Sequence, residues 1–207
     1  MNFLVKIKSV IGKGNSSNVF IVKSEKNFIV DAGLNVSQQV LDKVDDVEID
    51  RIILTHRHID HVGDAKKLSE KLDAPLYAPQ KEAIALREAD EKTILARSFG
   101  VDFQPLEIKE LEEEYSGFKI LSTPGHTEDS ICLYHKDEKI LFSGDTVFAN
   151  GSAGRTDLPT GSKEQLIESI ERLNNLDIES MYPGHMSVVN DNASEHIDRT
   201  LRFLKMM

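Results

Sequence analysis

Histidine is concentrated in three short segments of this 207-residue chain, which hold five of its seven histidines. Residues 55–61 read THRHIDH, residues 124–127 read PGHT and residues 183–185 read PGH, and an SGDT sequence at 143–146 lies between the last two. Imidazole nitrogen and carboxylate oxygen bind zinc, iron or manganese while a coordination position stays open for water. The pattern predicts a two-metal hydrolytic centre, so the fold must bring these segments together.

The spacing within the first segment predicts how its side chains are arranged. His56 and His58 follow a buried-strand run at 51–54 and are two residues apart, so they point to the same side of an extended chain. Asp60 and His61 enter the following turn and face a neighbouring position. Because four candidate ligands occur within six residues, we expect two adjacent metal ions.

Composition restricts the class of protein. With 40% hydrophobic and 29% charged residues, and no apolar run as long as a membrane span, the chain is typical of a soluble globular protein. The first eight residues alternate apolar and polar side chains like a strand and unlike a signal peptide. We expect a cytoplasmic protein with one domain over residues 1–207 and no membrane partner.

The charge balance argues against a nucleic-acid partner. Acidic residues number 35 and basic residues 25, which gives a formal charge of −10. An acidic protein repels polyanions in general. Five of the glutamates fall between residues 107 and 114, where we expect a solvated loop or a strand edge.

Hydrophobic periodicity predicts alternating strands and helices in both halves of the chain. The first three strands, separated by turn-type sequences, indicate an antiparallel meander. Ser162 and Gln165 form a capping box that opens a helix. Strands are expected at 3–11, 18–22, 28–30, 51–54, 74–78, 118–122, 130–134, 139–142 and 178–182, and helices at 36–44, 64–72, 80–89, 93–99, 162–173 and 193–204.

The ordered motifs resemble the metallo-β-lactamase superfamily, and within it the single-domain, glyoxalase II-like (hydroxyacylglutathione hydrolase-like) branch, over nearly the full chain. The resemblance implies an α+β fold, the αββα sandwich, in which two mixed β-sheets pack face to face with helices outside and metals at one edge. It also implies a domain without the C-terminal helical extension that helps classical glyoxalase II bind glutathione, because only 22 residues follow His185.

The same resemblance implies a set of metal ligands and two metal-binding positions. Asp60 and Asp145 are the residues to which it assigns a catalytic role. By this resemblance the first ion is held by His56, His58 and His126, the second by Asp60, His61 and His185, and Asp145 bridges both.

The activity implied by the resemblance is hydrolysis of a small-molecule thioester with two divalent ions, zinc first and iron or manganese as alternatives. The two ions lower the pKa of a shared water enough to supply hydroxide near neutral pH. A mononuclear-iron persulfide dioxygenase, a lactonase and, less favoured, a nucleic-acid phosphodiesterase are the rival functions. The oligomeric state is left open.

Four further residues have two interpretations or a single structural one. Arg155, in the GRTDLP segment at 154–159, contacts a substrate carboxylate or forms a salt bridge. Asp31 orients a metal-binding histidine from behind or simply occupies a turn. Met186 stands where glycine is common in relatives, which would reshape the pocket. Cys132 is expected to be a buried core thiol.

Overall fold

The computed structural model describes residues 4–44 and 47–206. The chain divides into two compact units, residues 1–111 and 112–207. Each unit contains one mixed β-sheet with helices packed on it. Phe3, at which the first predicted strand begins, lies outside the described residues.

The sheet of the first unit has six strands in sequence order. The first three pair antiparallel, which confirms the predicted meander, and the next three are parallel to their neighbours. Valine, isoleucine and phenylalanine, which favour a half-buried pleated surface, make up most of the central strands. The strands are β1 (Lys6–Val10), β2 (Val19–Lys23), β3 (Phe28–Val30), β4 (Arg51–Ile53), β5 (Leu76–Ala78) and β6 (Ile108–Glu110).

The helices of the first unit connect its parallel strands. Apolar residues of the longer helices, such as Val40 and Leu68, are fully buried and belong to the same hydrophobic cluster as Ile52 of β4. The helices are α1 (Ser37–Val44), α2 (Ile59–Val62), α3 (Ala65–Leu72), α4 (Gln80–Glu88) and α5 (Glu91–Ile94), followed by a 3-10 turn at Ala96–Phe99.

The sheet of the second unit has five strands, and the first four in the chain pair antiparallel, each with the next. The last strand pairs parallel with the strand before it, so the carboxyl ends of these two strands lie side by side. The strands are β7 (Glu114–Tyr115), β8 (Phe118–Ser122), β9 (Ile131–His135), β10 (Ile140–Gly144) and β11 (Ser180–Pro183), in the order β11-β10-β9-β8-β7.

A 3-10 turn (Ala149–Gly151) and two long helices complete the second unit. The helices are α6 (Lys163–Asn174) and α7 (Ala193–Met206). The Ser162 hydroxyl accepts a hydrogen bond from the backbone N–H of Gln165 at 3.3 Å, which confirms the predicted helix start. Leu166 and Ile197 bury their side chains in one cluster with Leu141 of β10. The second unit therefore has a hydrophobic core of its own.

Every predicted strand and helix overlaps an observed one, and the described residues add two strands, a one-turn helix and a 3-10 turn. The glutamate-rich segment contributes parts of β6 and β7 and the exposed loops beside them, so both a solvated loop and a strand edge occur there. Helix α2 occupies the predicted turn that follows His58. Among the described residues, no helix combines the length and hydrophobicity needed to cross a membrane.

Candidate metal centre

In the first unit, the histidine-rich segment leaves the carboxyl end of β4 and runs into α2. His58 has an extended backbone, with φ −61° and ψ 141°, directly before the helix. The chain bends at Thr55 and His56, and the rings of His56 and His58 meet edge to face with centroids 4.8 Å apart. The ring centroid of His61 lies 4.1 Å from that of His56.

The candidate ligand atoms of this segment lie close together in an interior that is nearly inaccessible to water. His56, His58 and His61 are all buried. Possible ligand atoms of His56 lie within 4.8 Å of those of His58 and of His61. A carboxylate oxygen of Asp60 is 3.8 Å from Nε2 of His61. Four donors of the type that binds zinc, iron or manganese therefore share a small volume of the first unit.

Asp31, which follows β3, lies behind this cluster. Its Oδ2 is 2.8 Å from Nδ1 of His61, so the interpretation in which Asp31 orients a histidine is the correct one. The backbone of Asp31 also has a φ of +60°, an unusual conformation for a residue other than glycine. Buried and strained, Asp31 is held in place by its partners.

Thr55 connects the same carboxylate to a second histidine. Its hydroxyl is 3.0 Å from both oxygens of Asp31 and 3.1 Å from Nδ1 of His56. A carboxylate only accepts hydrogen bonds, so the threonine proton points to Asp31 and the threonine oxygen accepts from Nδ1 of His56. Because Nδ1 of His56 and of His61 both carry the proton, Nε2 of each neutral ring presents the lone pair that a metal needs.

In the second unit, three further candidate ligands follow the ends of strands. Asp145 comes directly after β10 and His185 two residues after β11, and these two strands are parallel neighbours. His126 lies in the connection between β8 and β9. The arrangement explains why residues far apart in sequence meet within this unit.

The distances from Asp145 to His126 and to His185 suit a metal ion held between each pair of side chains. Oδ2 of Asp145 lies 3.5 Å from Nε2 of His126 and 3.6 Å from Nε2 of His185. Both distances exceed those of ordinary hydrogen bonds. Two ligand atoms bound to one tetrahedral zinc at normal bond lengths are about 3.4 Å apart. The donor set of the second unit therefore fits a divalent metal.

The GRTDLP segment supports this set through its backbone. The carbonyl oxygen of Arg155 is 2.7 Å from Nδ1 of His126, so this ring too presents Nε2 as the lone-pair nitrogen. Gly154 donates a backbone hydrogen bond to the carbonyl of Asp145 at 3.0 Å. A Cβ at residue 154 would lie 2.2 Å from that oxygen, so only glycine fits there.

The side chain of Arg155 takes part in an exposed ion pair. Its Nε and Nη2 donate to the two carboxylate oxygens of Asp157 at 2.9 and 2.7 Å. These bonds hold the pKa of Asp157 below its ordinary value. The structure shows the salt bridge, and contact of Arg155 with a substrate stays a prediction.

The single thiol lies outside both donor sets. Cys132 is fully buried in β9, as predicted, and burial raises its pKa to about 11. At neutral pH it is therefore a thiol and a poor nucleophile. Covalent catalysis by this cysteine has no support in the structure.

Two supporting groups in the first unit were absent from the sequence interpretation. No role was assigned to Thr55 or to Glu82 from the sequence. Glu82 is fully buried and pairs with Arg57, inside the histidine segment. A charged residue in the first turn of an amphipathic helix carries no sequence signal of burial, so pattern reading could not have found it.

Comparison with known proteins identifies the class to which this fold and these donors belong. Residues 11–185 match the metallo-beta-lactamase superfamily, and the chain belongs to it. A probable metallo-hydrolase from Methanocaldococcus jannaschii is 37% identical over an alignment of 188 residues that covers 84% of this chain and 89% of the relative. The hydroxyacylglutathione hydrolase GloC of Haemophilus influenzae is 31% identical over 159 residues, covering 70% and 73% of the two chains.

A solved structure agrees with this assignment. The crystal structure of TTHA1623 in a di-iron-bound form superimposes with a TM-score of 0.81 and 30% sequence identity, covering 95% of this chain and 99% of the other. The predicted α+β fold with two mixed sheets and flanking helices is thereby confirmed as the metallo-β-lactamase fold.

Proposed function

We propose that this chain is a two-metal hydrolase that cleaves a small-molecule thioester, and that both units act as one catalytic domain. The observation that carries the proposal is the donor set: buried imidazoles in each unit have Nδ1 engaged from behind, so that Nε2 is the lone-pair nitrogen beside a carboxylate. Such support is typical of histidines that bind a metal. We assign His56, His58 and His126 to one ion, Asp60, His61 and His185 to the other, and Asp145 to both.

When bound, two divalent ions supply a water of lowered pKa as nucleophile and polarise the carbonyl oxygen of the substrate. The protein's own residues keep this arrangement in place. Asp31 and Thr55 hold His61 and His56 in the tautomer that leaves Nε2 unprotonated. Asp60, which is partly exposed, would hold the second ion with its carboxylate and would be placed to accept a hydrogen bond from a water activated there. No serine or cysteine nucleophile is required.

The thioester is the proposed substrate because relatives named hydroxyacylglutathione hydrolase are similar over most of this chain. Zinc is the proposed metal. Iron is the alternative, because the crystal structure of TTHA1623 is a di-iron-bound form. Arg155 is the proposed contact for an anionic end of the substrate, since its guanidinium is exposed and pre-oriented by Asp157. The cytoplasmic location and the absence of a nucleic-acid partner stay predictions.

The first test is metal content, measured on protein purified without chelators, together with thioester hydrolysis and persulfide-dependent oxygen uptake on the same sample. Two metal ions per chain with thioester turnover and no oxygen uptake is the expected result. One iron per chain with oxygen uptake would replace the proposal by a persulfide dioxygenase. Turnover of a lactone in place of the thioester would change the substrate class and leave the metal centre as proposed.

The second test replaces the bridging carboxylate by its amide, Asp145→Asn. We expect loss of bound metal and a fall in thioester turnover of more than about 100-fold, because loss of even an outer partner of a metal ligand costs 10- to 100-fold. Asp177→Asn is the matched control, since Asp177 also lies in the second unit but is 69% exposed and pairs with Lys139. Wild-type turnover in the folded Asp145→Asn variant would contradict the proposal.

A further inference from the structure

A buried ion pair joins the histidine segment of the first unit to helix α4. Arg57, between His56 and His58, is 3% exposed, and Glu82, in the first turn of α4, is fully buried. Taking two charges out of water costs free energy that their attraction often fails to recover. Replacing such a pair by apolar residues of similar volume is often neutral or even stabilising, so we consider a role for it beyond stability.

The carboxylate of Glu82 binds the main chain of Arg57 as well as its side chain. Oε2 of Glu82 accepts hydrogen bonds from the backbone N–H of Arg57 at 2.9 Å and from its Nε at 2.6 Å. Oε1 accepts from Nη2 at 3.3 Å. One carboxylate therefore fixes both the peptide that links His56 to Arg57 and the direction of the arginine side chain.

The far end of the guanidinium is fixed as well. Nη1 of Arg57 donates to the hydroxyl of Thr93 at 3.3 Å, and this hydroxyl donates to Asp90 at 2.7 Å. These bonds lower the pKa of Asp90, chiefly through the Thr93 hydroxyl. The arginine is thus held from two helices, α4 and α5.

Residue 57 is bonded through the main chain to both histidines, His56 before it and His58 after it. Glu82 holds the peptide N–H and the side chain of Arg57. Fixing these two groups therefore restrains the backbone from which His56 and His58 project. The edge-to-face contact of their rings, with centroids 4.8 Å apart, is the resulting arrangement.

We propose that Glu82 is a positioning residue for metal binding: through Arg57 it holds His56 and His58 in the geometry that binds the first ion. This inference rests on the proposed function, because it takes these histidines to be ligands. It adds to that function a determinant of metal affinity on a helix that carries no ligand.

The test is the metal affinity of Glu82→Met, measured by competition between the metal-free protein and a chromophoric chelator for Zn²⁺. Methionine fills a similar volume and leaves the peptide N–H of Arg57 without its acceptor. We expect an affinity at the tighter site roughly 10- to 100-fold below that of the wild type. The absorption bands of the Co²⁺-loaded protein should shift as well, because the ligand geometry changes.

Three companion variants separate positioning from folding. Leu86→Ala removes a buried side chain from the same helix without touching Arg57, so it should lower the melting temperature and leave the zinc affinity unchanged. Glu82→Gln keeps an oxygen that accepts from the peptide N–H and should bind zinc better than Glu82→Met. The double variant Arg57→Met/Glu82→Met removes the uncompensated charge, so it should melt higher than Glu82→Met and still bind zinc weakly.

The outcomes distinguish this inference from the proposed function. If the wild-type protein binds no metal, the proposed function fails. If the wild type binds metal and Glu82→Met binds it with the same affinity and the same Co²⁺ spectrum, only the positioning role fails. Wild-type affinity in the double variant, or weakened affinity in Leu86→Ala, would overturn the positioning role as well.

Discussion

Met186 follows the candidate ligand His185 in a backbone conformation that glycine adopts far more easily. Its φ is +68°, and its side chain is 54% exposed. A left-handed conformation costs an L-residue about 1–2 kcal/mol. A methionine at this position is therefore strained, and it lies beside the donor set of the second unit.

The strain at Met186 predicts that a smaller residue stabilises the protein. We expect Met186→Gly to raise the free energy of unfolding by about 0.5–1 kcal/mol, because the relief of strain exceeds the added entropy of the unfolded chain. Met186→Ala is the control, since it removes the exposed side chain and keeps the strain, and it should leave stability within about 0.5 kcal/mol. Equal stability of the two variants in a urea titration would show that the backbone is not strained.

At the scale of elements, the start of α6 is fitted against the loop that carries His126. Gly125 has a φ of +136°, and its carbonyl accepts a hydrogen bond from the backbone N–H of Ser162 at 2.8 Å. The hydroxyl of Ser169 donates to the carbonyl of Pro124 at 2.7 Å. The helix therefore sets the position of the histidine without contributing a ligand.

This close approach predicts that Gly125→Ala is damaging. The added Cβ would lie 2.3 Å from the backbone nitrogen of Leu166, so the loop and the helix must separate. We expect a loss of about 1–3 kcal/mol in stability, as for an overpacked core, together with reduced metal content. Gly100→Ala is the matched control, because Gly100 also has a positive φ, of +68°, but a Cβ added there would have no atom within 4 Å. Similar losses of metal in both variants would contradict the argument.

The elements show what a sequence pattern can and cannot predict. Strands such as β2 and β9 were predicted because their continuous apolar runs indicate buried strands. Strand β6 has the sequence IKE and only one buried residue, so its pairing with β5 comes from the neighbouring strand and not from its own pattern. The predicted first and last residues of an element often differ from the observed ones, because hydrogen bonding to other segments decides where an element stops.

The candidate donor residues were recognisable in the sequence, and the groups that support them only in part. Histidine and aspartate at short spacing reveal metal chemistry in the sequence itself. Glu82 supports the segment from 25 residues away, and Asp31 is 30 residues from His61. Contacts at such separations depend on which strands pair and which helix faces inward, so they follow from the fold and are invisible to local patterns.

At the scale of the whole molecule, bound metal is expected to contribute to folding. A ligand that binds only the folded state at 100 times its dissociation constant adds about 2.7 kcal/mol, which for a chain of this size corresponds to roughly 5–10 °C in melting temperature. We expect a chelator to lower the melting temperature by about this amount and added Zn²⁺ to restore it. The Asp145→Asn variant should respond less. A melting temperature independent of chelator would contradict metal binding by the folded protein.

The burial of Cys132 has a consequence for following the protein's motions. It is the single cysteine of the chain, and its side chain is inaccessible within the sheet of the second unit. A thiol reagent can therefore modify the protein only while that sheet is open. The rate of modification reports how often the second unit opens, separately from the first, without any probe having to be introduced.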